Sequence, residues 1–486
     1  MGDHRNAVFT HPRSPVPLDI IIVGAGLSGL AAAVSCSLSG HKVTIFESAT
    51  ALQEVSFNHL IPVQLTSSNV FFLKVGAGLQ VTPNASRLLR QWDLPQRFWD
   101  SVAEPTYLAV HRYSGQLLAL EEDFDKKIRK QYGAPFVDVH RVDLQLSLLE
   151  RAQELGAKLK LSQKVTDIDL NTPKITTQDG TEAKADLIIA ADGLWSRCRS
   201  AFLGTKDTPK PTGDLAYRVV LNLDDIKDPE LIDWVKHCSC HFWIGPGAHA
   251  VGYSLRGGNM YNIVLLVPDD LPPGASRLPG SVDQMKALFE GWDPILLRFL
   301  DLVTEVDRWK LMHHDEMQHW INDQSNFVFM YVIYYFQIPE NETQGANSAI
   351  EDGAVLGLLL GAVEARNQIP EALKLYEKMR KSRGEAIVRE TFKQRESFHM
   401  LDGPEQVKRD EIFLSQLGKK ELKAPFPSRW TCPEVQPWLY GYDAYKEVHD
   451  ALAKNSFTRF SVVAQPASPV VTSRSWLSRL LTYIHR

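Results

Sequence analysis

Three things are scarce in this chain of 486 residues. Cysteine is the first. Cys36, Cys198, Cys238, Cys240 and Cys432 are few and odd in number, a pattern that excludes a disulfide framework and suits a reducing compartment. Charge of one sign is the second: 53 Lys and Arg face 58 Asp and Glu, with no basic block, so no electrostatic reason exists to expect a nucleic-acid partner. Long apolar runs are the third. No stretch reaches the length of a membrane span, and the polar opening MGDHRNAVFTHPRSP has no apolar signal core, so the expected address is the cytoplasm, with no stable membrane span. The HCSCH run at His237 to His241 has a Cys-x-Cys spacing tighter than structural zinc pairs use and no second pair follows, so it reads as a strand and no metal is expected. His313-His314-Asp315 reads as the polar face of the return segment Trp309 to Trp320 rather than a triad, because no activated-serine motif accompanies it.

What is present is concentrated between Asp19 and Ser48. A short apolar run, Ile20 to Val23, leads into Gly24-Ala25-Gly26-Leu27-Ser28-Gly29, then an Ala- and Leu-rich helical segment, Gly40, and a second apolar run, Lys42 to Phe46, that stops at Glu47. The order strand, tight turn, helix, strand is one βαβ unit. Gly24 makes the turn, Gly26 admits a pyrophosphate to the backbone, and Gly29 lets helix and strand pack closely. The helix start offers unpaired N–H groups to phosphate, and Glu47 stands where a carboxylate accepts from a ribose diol. The spacing predicts an adenine dinucleotide site.

Further along, residues 1–17 read as a mobile arm. A helix follows Pro83-Asn84, a hairpin is expected from Thr106 to Leu120, and a helix from Leu144 to Leu155 is capped by Gly156. Ala185 to Ala191 is apolar enough for a buried parallel strand and empties into Asp192-Gly193-Leu194-Trp195-Ser196-Arg197. From about Thr212 to Leu311 the texture is strands. Thr343 to Gly353 is then expected to open a long helix, with further helices to about His399.

The dinucleotide unit, the DGxxSxxR turn and QGANSAIEDG together resemble the FAD-dependent aromatic hydroxylases of the p-hydroxybenzoate and salicylate hydroxylase type, in particular their fungal secondary-metabolite branch. The resemblance covers about Asp19 to His399, and WLYGYDAY beyond it is also similar to that branch. It implies an α/β fold: a Rossmann-like FAD-binding domain of glutathione-reductase type over 18–205 and 310–400, an inserted β-sheet-rich substrate domain over 206–309, and a C-terminal helical extension over 401–486. It implies FAD as cofactor, NAD(P)H as co-substrate, O2, and a small aromatic or polyketide-derived substrate, hydroxylated with or without decarboxylation. By the same resemblance Gly78 brings backbone N–H groups to the flavin, Arg141 holds FAD, and Asp192 touches FAD and the nicotinamide cofactor. Gly345, Ala346 and Asn347 offer a helix N-terminus to the flavin ring, and Arg218 and Tyr253 bind the substrate phenolate. The competing expectations are a flavin epoxidase of a terpenoid or polyketide, and a flavin-binding remnant or mispredicted product without activity.

Two stretches depart from that pattern. Where the family carries GDxxHPxxP the line reads YVIYYFQIPENET, Tyr331 to Thr343, and Ser56 to Lys74 interrupts a flavin-contacting loop. Both have the look of translated intron sequence, with ordinary divergence as the other explanation. The expected consequence is weak FAD binding by the chain as written, because the missing aspartate removes hydrogen bonds to buried hydroxyls.

Overall fold

The computed structural model describes residues 10–52, 78–330 and 339–455, without the side chains of 339–343. Both departing stretches, apart from the backbone of Pro339 to Thr343, and the chain beyond Asn455 therefore lie outside the described residues.

The strands in chain order are β1 (Asp19–Val23), β2 (Lys42–Phe46), β3 (Gly78–Val81), β4 (Leu108–Arg112), β5 (Leu117–Glu121) and β6 (Val137–His140). Next come β7 (Lys158–Lys160), β8 (Val165–Asp169), β9 (Lys174–Thr177), β10 (Glu182–Lys184), β11 (Leu187–Ala190) and β12 (Lys210–Asn222). The last are β13 (Cys240–Gly245), β14 (Ala248–Leu255), β15 (Met260–Pro268), β16 (Arg277–Gly280), β17 (Val306–His313) and β18 (Phe327–Phe329).

Two large sheets organise them. The first has five strands in the order β18-β11-β1-β2-β7. Its pairs are parallel, with Ile20 opposite both Val43 and Leu187. Ile20 to Val23 and all of β11 are buried, which is why both strands read as unbroken apolar runs rather than alternating ones. The helix Leu27–Leu38 lies on this sheet and is buried nearly all round, since the helix Pro339–Gly361 covers its outer side. That second contact depends on small residues. A Cβ on Gly353 would stand 2.6 Å from the Ala31 carbonyl carbon, one on Gly357 2.6 Å from that of Ser35, and one on Gly361 2.4 Å from the Pro12 oxygen.

The second sheet has eight strands, β16-β17-β12-β15-β14-β13-β4-β5. One face packs Tyr217, Val219, Trp243, Tyr261 and Ile263 against Phe289, Leu296 and Phe299. The other packs Val110, Phe242, Val251 and Tyr253 toward Phe398, Phe413 and Trp430. The hairpin expected before the substrate region is present, and it joins this sheet through a parallel pairing of β4 with β13. The small sheets are β10-β9-β8 and the antiparallel pair β3-β6.

Two expectations need correction. The helix expected to open with Thr343 to Gly353 begins at Pro339, so Gly345, Ala346 and Asn347 lie within it rather than at its start. The arm expected to be mobile is fastened from residue 10 on. His11 bonds Tyr445 Oη at 2.9 Å and Ser39 Oγ at 2.8 Å, and Ser14 Oγ donates to the Val363 carbonyl at 2.7 Å. No helix among the described residues is long and apolar enough to cross a membrane.

Candidate active site

The glycine loop between β1 and the helix Leu27–Leu38 has the shape its residues require. Gly24 takes φ +102°, and a Cβ there would lie 2.4 Å from the Ala191 carbonyl oxygen at the end of β11. One on Gly29 would lie 2.0 Å from the Gly24 oxygen, so helix and turn are in backbone contact. A Cβ on Gly26 would meet nothing within 4 Å among the described residues. Gly26 is the helix N-cap, with no side-chain cap and no acid in the first turn, so the first N–H groups of the helix remain available for an anion. Glu47 ends β2 beside this loop. Its Oε2 accepts from the Ala25 N–H at 2.7 Å, and its Oε1 from the Ala49 N–H at 2.8 Å and Ser48 Oγ at 3.0 Å, which leaves a lone pair on Oε2. Gln145 donates to the Ala25 carbonyl at 2.8 Å and pins the loop from the helix Arg141–Glu154. The loop thus fits a dinucleotide: an open glycine, an uncapped helix start and an acid at the strand end. Arg141 is the first residue of its helix and half-buried.

Asp192 has a local task. Its Oδ1 accepts from Ser196 Oγ at 2.6 Å, and its Oδ2 accepts from the N–H groups of Arg197 and Cys198 at 2.8 and 3.0 Å. The carboxylate caps the helix Arg197–Leu203, while Gly193 turns the chain at φ +72°. Asn347 is also occupied. Its Oδ1 accepts from the Thr82 N–H and its Nδ2 donates to the Gln80 carbonyl, each at 3.0 Å. It clamps the Pro339–Gly361 helix to the end of β3. Because that helix runs on N-terminal of Gly345, no helix N-terminus stands there, and the dipole role expected for Gly345, Ala346 and Asn347 does not hold.

The small β3-β6 pair meets the eight-stranded sheet at Gly78. A Cβ on Gly78 would lie 2.6 Å from Tyr253 Cε2 and 2.9 Å from its hydroxyl oxygen. Only glycine lets β3 lie this close to the eight-stranded sheet. The Gly78 N–H donates to Asn262 Oδ1 at 2.9 Å. Asn262 on β15 stands directly opposite Tyr253 on β14 and Val220 on β12. Arg218 is two residues before Val220, hence on the same face, with its guanidinium 5.3 Å from the Trp309 ring centroid. Arg218 and Tyr253, 35 positions apart in sequence, thus share one sheet face, and β3 crosses it at Tyr253. Two positions along β3, Gln80 donates to Asp138 Oδ1 at 3.0 Å and to Cys240 Sγ at 3.3 Å. Burial pushes the Asp138 carboxyl well above the usual carboxylate range.

Several residues escaped sequence reasoning. Asn262 is the one polar side chain in the YNIVLLV run, and that interruption was the available signal. The Gly353, Gly357 and Gly361 repeat, spaced by four, was equally legible as a close helix contact. The buried charges were not. Glu351 accepts from Arg383 at 2.8 and 2.7 Å and from Asn84 at 2.7 Å, and Arg380 pairs with Glu351 and Asp352 at 2.7 and 2.5 Å. Burial alone would raise the Glu351 carboxyl, yet Arg383 and Arg380 outweigh it and hold it below its ordinary value. Arg383 also lies 3.9 Å from the Tyr442 ring centroid and donates to the Leu439 carbonyl, which ties WLYGYDAY to the cofactor-side helices. The HCSCH residues divide by strand alternation: Cys240 faces β3, and His241 on the other face bonds His111 at 3.0 Å and Ser239 at 3.0 Å.

A parallel sheet with an open glycine turn, beside a broad, mostly antiparallel sheet that the β3-β6 pair meets through Gly78, defines a dinucleotide-binding protein of two sheets. Comparison with known proteins makes the class specific. Residues 22–52 match the NAD(P)-binding Rossmann-like domain. FAD-dependent monooxygenase OpS4 of Beauveria bassiana (strain ARSEF 2860) is 42% identical over 443 residues, 90% of this chain and 98% of that protein. The 3-hydroxybenzoate 6-hydroxylase of Polaromonas naphthalenivorans (strain CJ2) is 27% identical over 91% of this chain and 99% of its own. Among solved structures, CtdE in complex with FAD and substrate 4 superposes with a TM-score of 0.71 at 21% identity, over 90% of this chain and 98% of that one. A salicylate hydroxylase substrate complex gives 0.65 at 18% identity, over the same shares of the two chains. The chain belongs to the FAD-dependent monooxygenases.

Proposed function

We propose that this chain binds FAD and uses NAD(P)H and O2 to hydroxylate a small aromatic or phenolic molecule in secondary metabolism, with decarboxylation where the ring carries a suitably placed carboxylate. The observation that carries the reading is the contact of Gly78 with Tyr253, which joins the cofactor half of the chain to the sheet face bearing Arg218. Bound FAD supplies the redox chemistry, accepting hydride from NAD(P)H and activating O2. The chain's own residues bind, orient and exclude water. Glu47 accepts from the adenosine ribose, Gly24, Gly26 and Gly29 bring the pyrophosphate to the helix start, and the Arg141 guanidinium offers phosphate a planar fork. Gly78 presents its strand edge to the flavin. The Asp192-Gly193 turn acts through its backbone, since the Asp192 carboxylate is held by its own helix. Asn347 contributes by holding β3 in place. Arg218 and Tyr253 hold the substrate oxygen as phenolate, which raises electron density on the ring at the carbon to be oxygenated. Tyr253 is 4% exposed, so this charge contact forms away from bulk water, where it is strongest.

The test uses Arg218→Ala and Tyr253→Phe in FAD-loaded protein. FAD content should stay at the level of the parent chain, hydroxylated product should fall at least tenfold, and NAD(P)H oxidation should increasingly yield hydrogen peroxide. Parallel loss of flavin and product would make both residues structural instead. An epoxide as the product would overturn the hydroxylase reading.

A further inference from the structure

Asn262 is the residue of this site that neither motif nor resemblance marked. It is 0% exposed, and half of its amide is committed: Oδ1 accepts the Gly78 N–H at 2.9 Å. The other half is not. Nδ2 is buried and has no hydrogen-bond acceptor among the described residues. A primary amide carries two N–H donors, and leaving buried donors unmade is unfavourable enough that native structures rarely tolerate it without a ligand or water. The surroundings say what kind of acceptor is missing. Asn262 stands directly opposite Tyr253, and Arg218 is the diagonal neighbour on β12, about 7–8 Å away in backbone terms, with all three side chains on one face. A guanidinium and an amide N–H are donors only, and a phenol hydroxyl donates readily. Two flanking groups, Val220 and Val264, are apolar and offer no acceptor.

We infer that Asn262 is a substrate-binding residue whose Nδ2 donates to a ring-borne anionic oxygen, a phenolate or an adjacent carboxylate, while its Oδ1 holds the Gly78 strand end. The same side chain therefore couples placement of the cofactor strand to recognition of the substrate oxygen. This rests on the phenol reading above and adds to it a third donor and a mechanical link between the two halves of the site.

The experiment uses the full chain with saturating FAD and 4-nitrophenol as probe, at mildly alkaline pH where the probe is mostly phenolate and its visible band reports binding. Asn262→Asp keeps an acceptor for the Gly78 N–H and places negative charge where the donor stood. Asn262→Leu removes both functions. FAD affinity should be near that of the parent chain in the Asp variant and reduced in the Leu variant, while 4-nitrophenolate affinity should fall roughly ten- to a hundredfold in both, the range for a lost charge-assisted hydrogen bond. Probe affinity within threefold of the parent chain in both variants overturns the inference and leaves the phenol reading standing. Loss of FAD in step with the probe in the Asp variant also overturns it, since Asn262 is then a strand anchor only. Failure of the parent chain to bind 4-nitrophenolate overturns the phenol reading together with the inference.

Discussion

Two glycine-rich segments of this chain look alike on paper and do opposite things. In the first, Gly24 and Gly29 are closed by backbone contacts while Gly26 between them faces open space at a helix start. In the second, Gly345 meets nothing within 4 Å among the described residues but lies inside a helix, and Gly353, Gly357 and Gly361 are pressed against the helix Leu27–Leu38 and the Pro12 carbonyl. One segment uses missing side chains to leave room for a ligand. The other uses them to bring two helices into backbone contact. Glycine in a helix costs about 0.5–1 kcal/mol relative to alanine, so a run of them persists only where close approach returns more.

The largest effect should come from filling the packed segment. Gly357→Leu places atoms where Ser35 Oγ and its carbonyl carbon already stand at 2.2 and 2.6 Å. We expect a loss of about 3 kcal/mol or more, at or above the usual cost of overpacking because backbone must move. Denaturant unfolding measures it, and a loss under about 1 kcal/mol would mean the helices are not in contact.

Acid should loosen the far end of the same contact. His11 and His41, both at that end, are held by burial at about 4 rather than their ordinary 6.5. The folded values lie below the unfolded ones, so the unfolded chain takes up the extra protons between pH 6.5 and 4. Stability is complete above about pH 6.5 and falls on acidification, by up to about 3 kcal/mol per histidine below pH 4. Melting temperature against pH reads this out, and His11→Gln should flatten the fall. An equal slope in that variant would remove His11 from the account.

The ligand-facing segment should respond in binding rather than stability. Glu47→Ala should weaken FAD by about 1–3 kcal/mol, the cost of leaving polar groups unpaired. An unchanged FAD dissociation constant in folded protein would rule out the ribose contact.

The smallest effect sharpens the comparison most. Gly345→Ala should stabilise the chain by about 0.5–1 kcal/mol, because the position is helical and open. Gly26→Ala, also open, should leave the melting temperature nearly unchanged and weaken FAD binding. Destabilisation by Gly345→Ala would place that residue at a helix start after all.

The sequence alone determined the elements whose causes are local. The βαβ unit was legible because its glycines, its parallel-strand apolar runs and Glu47 fall within thirty residues. The hairpin, the helix capped by Gly156 and the strand ahead of Asp192-Gly193 were legible for the same reason. The start of the Pro339–Gly361 helix was misread because a Gly-rich stretch resembles an N-terminus, whereas the 353–361 glycines are explained by a helix they touch more than 300 positions away. Tertiary structure alone decided that Asp192 caps a helix, that Asn347 clamps β3, that Glu351 is balanced by Arg380 and Arg383, and that Asn262 meets Gly78 across 184 residues. A side chain's alternation along a strand is written in the sequence, but its opposite number is fixed by strand register and sheet order. Those are set by burial summed over the whole molecule, and no single segment carries them.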